Sequence, residues 1–128
     1  MMGKKLQLIL AAWVIAMMMT ACGGNSANVN SSVETLDNPA GNEREIVILG
    51  SNFDFDQDEY TVAVGEAVKI IYRNAEGSHG IAIEDTNIKL RNNQEIVVKF
   101  TEPGDYKIIC NIYCGAGHTG MTAKLVVQ

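Results

Sequence analysis

The chain is 128 residues long and acidic, with 15 Asp and Glu against 10 Lys and Arg and a formal net charge of −5. That length fits one small domain with a tether and does not fit two domains. The charge excludes the basic surface by which nucleic acid is held.

In chain order, the first feature is an export signal. Lys4 and Lys5 form a positive start, Leu6 to Met19 an apolar run, and Thr20 and Ala21 are small residues ahead of Cys22. The run is short for a membrane span and a polar segment follows at once, so residues 1–21 read as a cleaved signal peptide. Cys22 resembles the lipid acceptor of a bacterial lipoprotein signal, which would tether the protein to the membrane on its extracytoplasmic side. Residues 22–43 are rich in Asn, Ser and Gly and poor in large apolar side chains. They read as a flexible linker, because such a segment cannot bury enough surface to offset its ordering entropy.

From residue 44 onward the pattern changes to period-two alternation and short apolar runs of Val, Ile and Tyr. Strands are expected at Glu45–Leu49, Tyr60–Val64, Ala67–Arg73, Gly80–Glu84, Glu95–Thr101, Asp105–Cys110 and Thr122–Val127. Gly65-Glu66, Ala75-Glu76-Gly77, Arg91-Asn92-Asn93 and Glu102-Pro103-Gly104-Asp105 read as turns between them. No amphipathic helix, repeat or phosphate-cradling glycine loop is evident after the signal. The expected fold class for residues 44–128 is all-β, an antiparallel sandwich of short strands.

The chemistry is concentrated in CNIYCGAGHTGM, residues 110 to 121. Cys110 ends one expected strand and Met121 precedes the next, so a single loop carries Cys-x3-Cys-x3-His-x2-Met on a rigid mount. His79 stands at the head of another strand, placed to face this loop from the same end of the sandwich. Two thiolates, two imidazoles and a thioether make a soft ligand set, which favours copper over magnesium or calcium. A mononuclear blue-copper site needs one cysteine, and here there are two. Two thiolates can instead bridge two metal ions, each capped by one histidine, with the methionine as a weak ligand on one of them. Two other readings stay open. Cys110 and Cys114 could form a disulfide in an oxidising compartment, or zinc could take Cys110, Cys114, His118 and His79 as a tetrahedral site.

At these residues the chain resembles a family. HGI at 79–81, PGDYKIICNIYCGAGHTGM at 103–121 and the last strand are similar to the CuA cupredoxin domain of cytochrome c oxidase subunit II. NFDFDQDEYTVAVGEAV at 52–68 resembles the first strands of such domains. The resemblance implies a cupredoxin-like Greek-key β-sandwich or barrel over residues 44–128 and a binuclear copper centre. It further implies His79 and His118 as terminal imidazoles, Cys110 and Cys114 as bridging thiolates, Met121 as the weak thioether and the backbone oxygen of Ile112 as the last ligand. Implied too are a c-type cytochrome or similar electron donor and a membrane oxidase or reductase as acceptor. Many oxidase subunits carry glutamate where Ile112 stands, and isoleucine keeps the carbonyl but loses the carboxylate. The one tryptophan, Trp13, lies in the signal, so no tryptophan serves electron entry in the domain.

Around the loop no Ser, Lys or carboxylate is arranged as acid, base or nucleophile, so the domain reads as a carrier and not as a catalyst by itself. The alternative is a copper-binding or delivery lipoprotein that holds metal without cycling electrons. Asp54, Asp56, Asp58 and Glu59 read as a solvated acidic face before they read as a docking site for a basic partner.

Overall fold

A computed structural model describes residues 32–128. The expected signal peptide and the lipid acceptor Cys22 lie outside the described residues, as does the first part of the expected linker. Ten strands follow one another: β1 Val33–Thr35, β2 Arg44–Ser51, β3 Asp54–Phe55, β4 Glu59–Val62, β5 Ala67–Asn74, β6 Gly80–Ile83, β7 Lys89–Arg91, β8 Gln94–Phe100, β9 Gly104–Cys110 and β10 Thr122–Val127. They form two five-stranded sheets with the orders β1-β8-β5-β2-β3 and β4-β10-β9-β6-β7. Among the described residues no helix is long and apolar enough to cross a membrane.

The expected all-β sandwich is the observed one, and the alternation that announced it is the alternation that packs it. Ile46 and Ile48 of β2, Val68, Ile70 and Tyr72 of β5, Val98 and Phe100 of β8, Ile108 of β9 and Leu125 of β10 point into one core. Most of them are completely buried, each such aliphatic side chain contributing about 1.5–3 kcal/mol relative to its exposed state.

Three features differ from the expectation. The sheets are not antiparallel throughout: β2 runs parallel to β5, and β4 parallel to β10. Between β2 and β5 the chain crosses to the other sheet to make β4, so β5 returns in the direction of β2 and cannot form a hairpin with it. Residues 33–35, expected within the flexible linker, instead pair with β8, with Val33 opposite Phe100 and Thr35 opposite Val98. Val33 is buried there, an apolar anchor in a segment whose average composition is polar. Finally β3 and β7, of two and three residues, stand where no strand is expected, being too short to show a period.

The sandwich places one end of β6, β9 and β10 together. β9 pairs antiparallel with both β6 and β10, with Cys110 opposite Ile81 and Ile109 opposite Thr122. The 111–120 loop therefore leaves and re-enters the same sheet beside the head of β6, where His79 stands.

Candidate metal centre

The loop is pinned at its neck and along its length. Cys110 N–H donates to the Met121 carbonyl at 3.2 Å, and Asn111 N–H to the Gly80 carbonyl at 3.1 Å. Within the loop, His118 N–H donates to the Gly115 carbonyl and Gly120 N–H to the Gly117 carbonyl, each at 3.1 Å, which winds His118–Gly120 into one 3-10 turn. Gly115 has φ +124°, a conformation that L side chains rarely adopt. Gly80 admits the loop, because a Cβ there would lie 2.6 Å from Asn111 Oδ1 and 2.8 Å from Ile112 Cδ1. Gly80, Gly115 and Gly117 thus have a steric reason, close approach of backbone to neighbour, whereas a Cβ on Gly120 would meet nothing within 4 Å.

The donor atoms form a chain. His79 Nδ1 lies 3.8 Å from Cys110 Sγ, Cys110 Sγ 3.6 Å from Cys114 Sγ, and Cys114 Sγ 3.6 Å from His118 Nδ1. The Ile112 carbonyl oxygen is 3.1 Å from Cys110 Sγ. His79, Cys110 and Cys114 keep their donor atoms within 4.8 Å of one another. Both imidazoles turn Nδ1 toward a sulfur, one at each end of the thiol pair. Met121 follows the 3-10 turn and is completely buried.

These separations speak against the disulfide. A disulfide would bring the sulfurs to about 2.05 Å, whereas Cys110 and Cys114 are free and 3.6 Å apart. Metal bonds of about 2.3 Å to sulfur and 2.0 Å to nitrogen, at tetrahedral angles, would set sulfur and nitrogen about 3.5 Å apart and two sulfurs about 3.8 Å apart. The observed spacings of 3.6–3.8 Å are close to these, so the donor atoms stand near enough to one another to hold metal. The residues present therefore fit copper, with soft donors in a run of imidazole, thiolate, thiolate, imidazole.

Burial shapes the electrostatics. His79 is 1 % exposed, and among the described residues it is the one buried polar or charged side chain. Burial pushes the Cys114 thiol up, and the hydrogen bond and charge of Cys110 beside it push further in the same direction. Burial also raises the Tyr72 hydroxyl, with the two cysteines adding to it. A metal ion would supply the positive charge that such thiolates need.

Sequence reasoning missed the residues that hold this arrangement. With its amide oriented to satisfy both neighbours, Asn74 accepts from His79 N–H at 3.2 Å and donates to the His79 carbonyl at 3.3 Å and to the Tyr72 hydroxyl at 2.6 Å. Phe53 sets its ring edge-on to His79, with centroids 6.1 Å apart, and packs over Gly115 and Gly117. Tyr113, 81 % exposed, lies against His118 with ring centroids 5.7 Å apart. Of the acidic cluster, Asp56 is taken up internally, accepting from Leu49 N–H at 2.7 Å and from the Tyr60 hydroxyl at 2.8 Å.

The chain is 31 % identical over 91 residues to cytochrome c oxidase subunit 2 of Thermus thermophilus, a match covering 68 % of this chain and 67 % of that protein. It belongs to the cytochrome c oxidase subunit 2 family. A second Thermus thermophilus protein of the same name matches at 31 % identity, and there the chain spans 54 % of the relative's length. No protein-family model matches. Among solved structures, the periplasmic domain of subunit II of the cytochrome oxidase CoxB of Bradyrhizobium japonicum superposes with a TM-score of 0.61 at 16 % identity, over 66 % of this chain and 83 % of that one. A chain of a heme-copper terminal oxidase dimer gives 0.60 at 24 % identity, over 98 % and 97 %. Auracyanin from Roseiflexus castenholzii gives 0.53 at 20 % identity, over 67 % and 98 %. The family and the fold identify a CuA-type cupredoxin domain, and they support a copper electron-transfer role for it.

Proposed function

We propose that this protein is an extracytoplasmic electron carrier with a binuclear copper centre, held by His79, Cys110, the Ile112 carbonyl, Cys114, His118 and Met121. In this reading electrons arrive from a c-type cytochrome or similar donor and leave to a membrane oxidase or reductase, and a lipid on Cys22 tethers the chain to the membrane. The observation that carries it is the run of donor atoms from His79 Nδ1 through two sulfurs to His118 Nδ1 at steps of 3.8, 3.6 and 3.6 Å. Copper held by Cys110 and Cys114 would supply a centre in which one electron is shared between two metal ions, so that each redox change is spread over many bonds.

The chain's own residues then do three things. Cys110 and Cys114 are held side by side by a loop hydrogen-bonded at its neck, so little has to move when charge changes. His79 is enclosed, and the sandwich shields its side of the site from water. His118 and Tyr113 lie toward the surface, His118 half-buried and Tyr113 exposed, which brings one ligand within reach of a docked partner.

The test is to mix the copper-loaded full chain with a reduced c-type cytochrome and follow the cytochrome absorbance in stopped flow. Oxidation of the cytochrome in step with reduction of the copper is the expected result. Copper that exchanges no electrons with the cytochrome, and passes instead to a competing thiol chelator, would move the protein to copper delivery.

A further inference from the structure

His79 uses both ring nitrogens. Its Nδ1 faces Cys110 Sγ at 3.8 Å, while Nε2 lies 3.2 Å from the side-chain oxygen of Asn52, at the tip of the turn between β2 and β3. An amide oxygen can only accept a hydrogen bond, so this contact requires the proton on Nε2 and leaves the Nδ1 lone pair free. The turn touches the site twice, since Phe53 packs edge-on to the same imidazole and over Gly115 and Gly117 of the loop. Gly77, with φ +79°, leaves the space for the contact, because a Cβ there would lie 2.6 Å from His79 Nε2 and would also collide with the Asn52 oxygen. The imidazole at the other end of the site is held differently. His118 meets Cys114 through Nδ1 and lies tilted against Tyr113, and no protein group among the described residues accepts from its Nε2.

We propose that Asn52 is a positioning residue that locks His79 in the Nε2-protonated tautomer, with Nδ1 aimed at Cys110, so that the enclosed imidazole is prepared for metal before metal arrives. The inference rests on His79 being a ligand, as proposed above. Removing the acceptor leaves a buried ring N–H without a partner and frees the ring to turn, and loss of such an outer partner costs about 10–100-fold in metal affinity. An aspartate at the same position keeps the accepting oxygen and should keep the tautomer.

The experiment is long-range proton–nitrogen NMR of the histidine rings in the copper-free full chain, followed by copper titration against a competing chelator. In the unmodified chain His79 should show the Nε2–H tautomer with slow exchange of that proton, while the His118 ring proton exchanges fast. Asn52→Ala should speed exchange at His79, mix its tautomers and weaken copper binding about 10–100-fold, leaving the His118 signals in place. Asn52→Asp should restore all three properties. An Nδ1–H tautomer at His79 in the unmodified chain would overturn the inference without any variant, as would unchanged exchange, tautomer and affinity in Asn52→Ala. Failure of the unmodified chain to bind copper at all would sink the proposed function instead, while the copper-free spectra would still judge the Asn52 contact.

Discussion

Gly117→Ala tests whether the turn at 52–53 and the ligand loop are one packed unit. Gly117 has φ −86° and ψ 0°, a conformation that alanine adopts without strain. By backbone reasoning alone, the substitution would therefore stabilise the fold by about 0.4–1 kcal/mol through the unfolded state. The structure says otherwise, because the new Cβ would lie 2.5 Å from Phe53 Cβ and 2.7 Å from Cδ2, and closer still to Cγ. The Phe53 Cβ is fixed by its backbone and cannot rotate away, so the turn itself has to shift. Overpacking of this kind costs about 1–3 kcal/mol, which leaves a net loss of about 0–2.6 kcal/mol after the backbone gain, about 1.3 kcal/mol at the middle of both ranges. For a domain of this size the mid-range value is a fall of about 5–10 °C in melting temperature. Urea denaturation of the copper-free chain measures it, with an unchanged m-value showing that stability alone has changed. Phe53→Ala removes the ring but keeps the Cβ and should relieve the loss in part, whereas Phe53→Gly should abolish it and let Gly117→Ala become neutral or stabilising. A double-mutant cycle isolates this coupling from the cost of losing Phe53. A stabilising Gly117→Ala in the presence of Phe53, or a cost that persists in Phe53→Gly, would refute the packing described.

Three further outcomes are expected. Hydrogen bonds from Arg44 at 2.7 and 2.9 Å hold the Glu66 carboxyl down to about 2 from its ordinary 4.5, so its contribution is full above pH 4.5 and is lost as pH falls toward 2. Since Arg44 is half exposed, the effect is about 0.5–1 kcal/mol, and Glu66→Gln should flatten the stability profile between those pH values; an unaltered profile would contradict the assignment. Met121→Leu conserves core volume and should cost less than about 1.5 kcal/mol, yet in the copper-loaded protein it should raise the reduction potential by removing a sulfur donor, and an unmoved potential would take Met121 out of the ligand set. Gly80→Ala should press on Asn111 Oδ1 and on the Ile112 side chain and weaken copper binding, and Ile112→Ala should restore it in part; copper affinity indifferent to both would detach the Gly80 contact from the site.

The sandwich was legible because alternation survives in β2, β4 and β10, and the boundaries of β10 agree with the sequence pattern to the residue. What escaped notice was local in one direction or distant in another. Asp54–Phe55 and Lys89–Arg91 are too short to carry a period, and Val33 sits alone in a polar stretch, its burial decided by Phe100 across the sheet. Parallel pairing of β2 with β5 depends on the path between them, which residue patterns do not encode. The donor residues were legible in CNIYCGAGHTGM because ligand chemistry restricts residue type and spacing together. Asn52, Phe53 and Asn74 were not, since an amide or ring that supports a ligand can come from any neighbouring turn, and its sequence distance, 27 residues from Asn52 to His79, has no fixed value.

The central claim is two copper ions in one site, and electron paramagnetic resonance of the copper-loaded full chain, with metal counting on the same sample, addresses it most directly. Two coppers per chain and hyperfine splitting from two equivalent nuclei are the predicted result. One copper with single-nucleus splitting, or a preference for zinc, would contradict it.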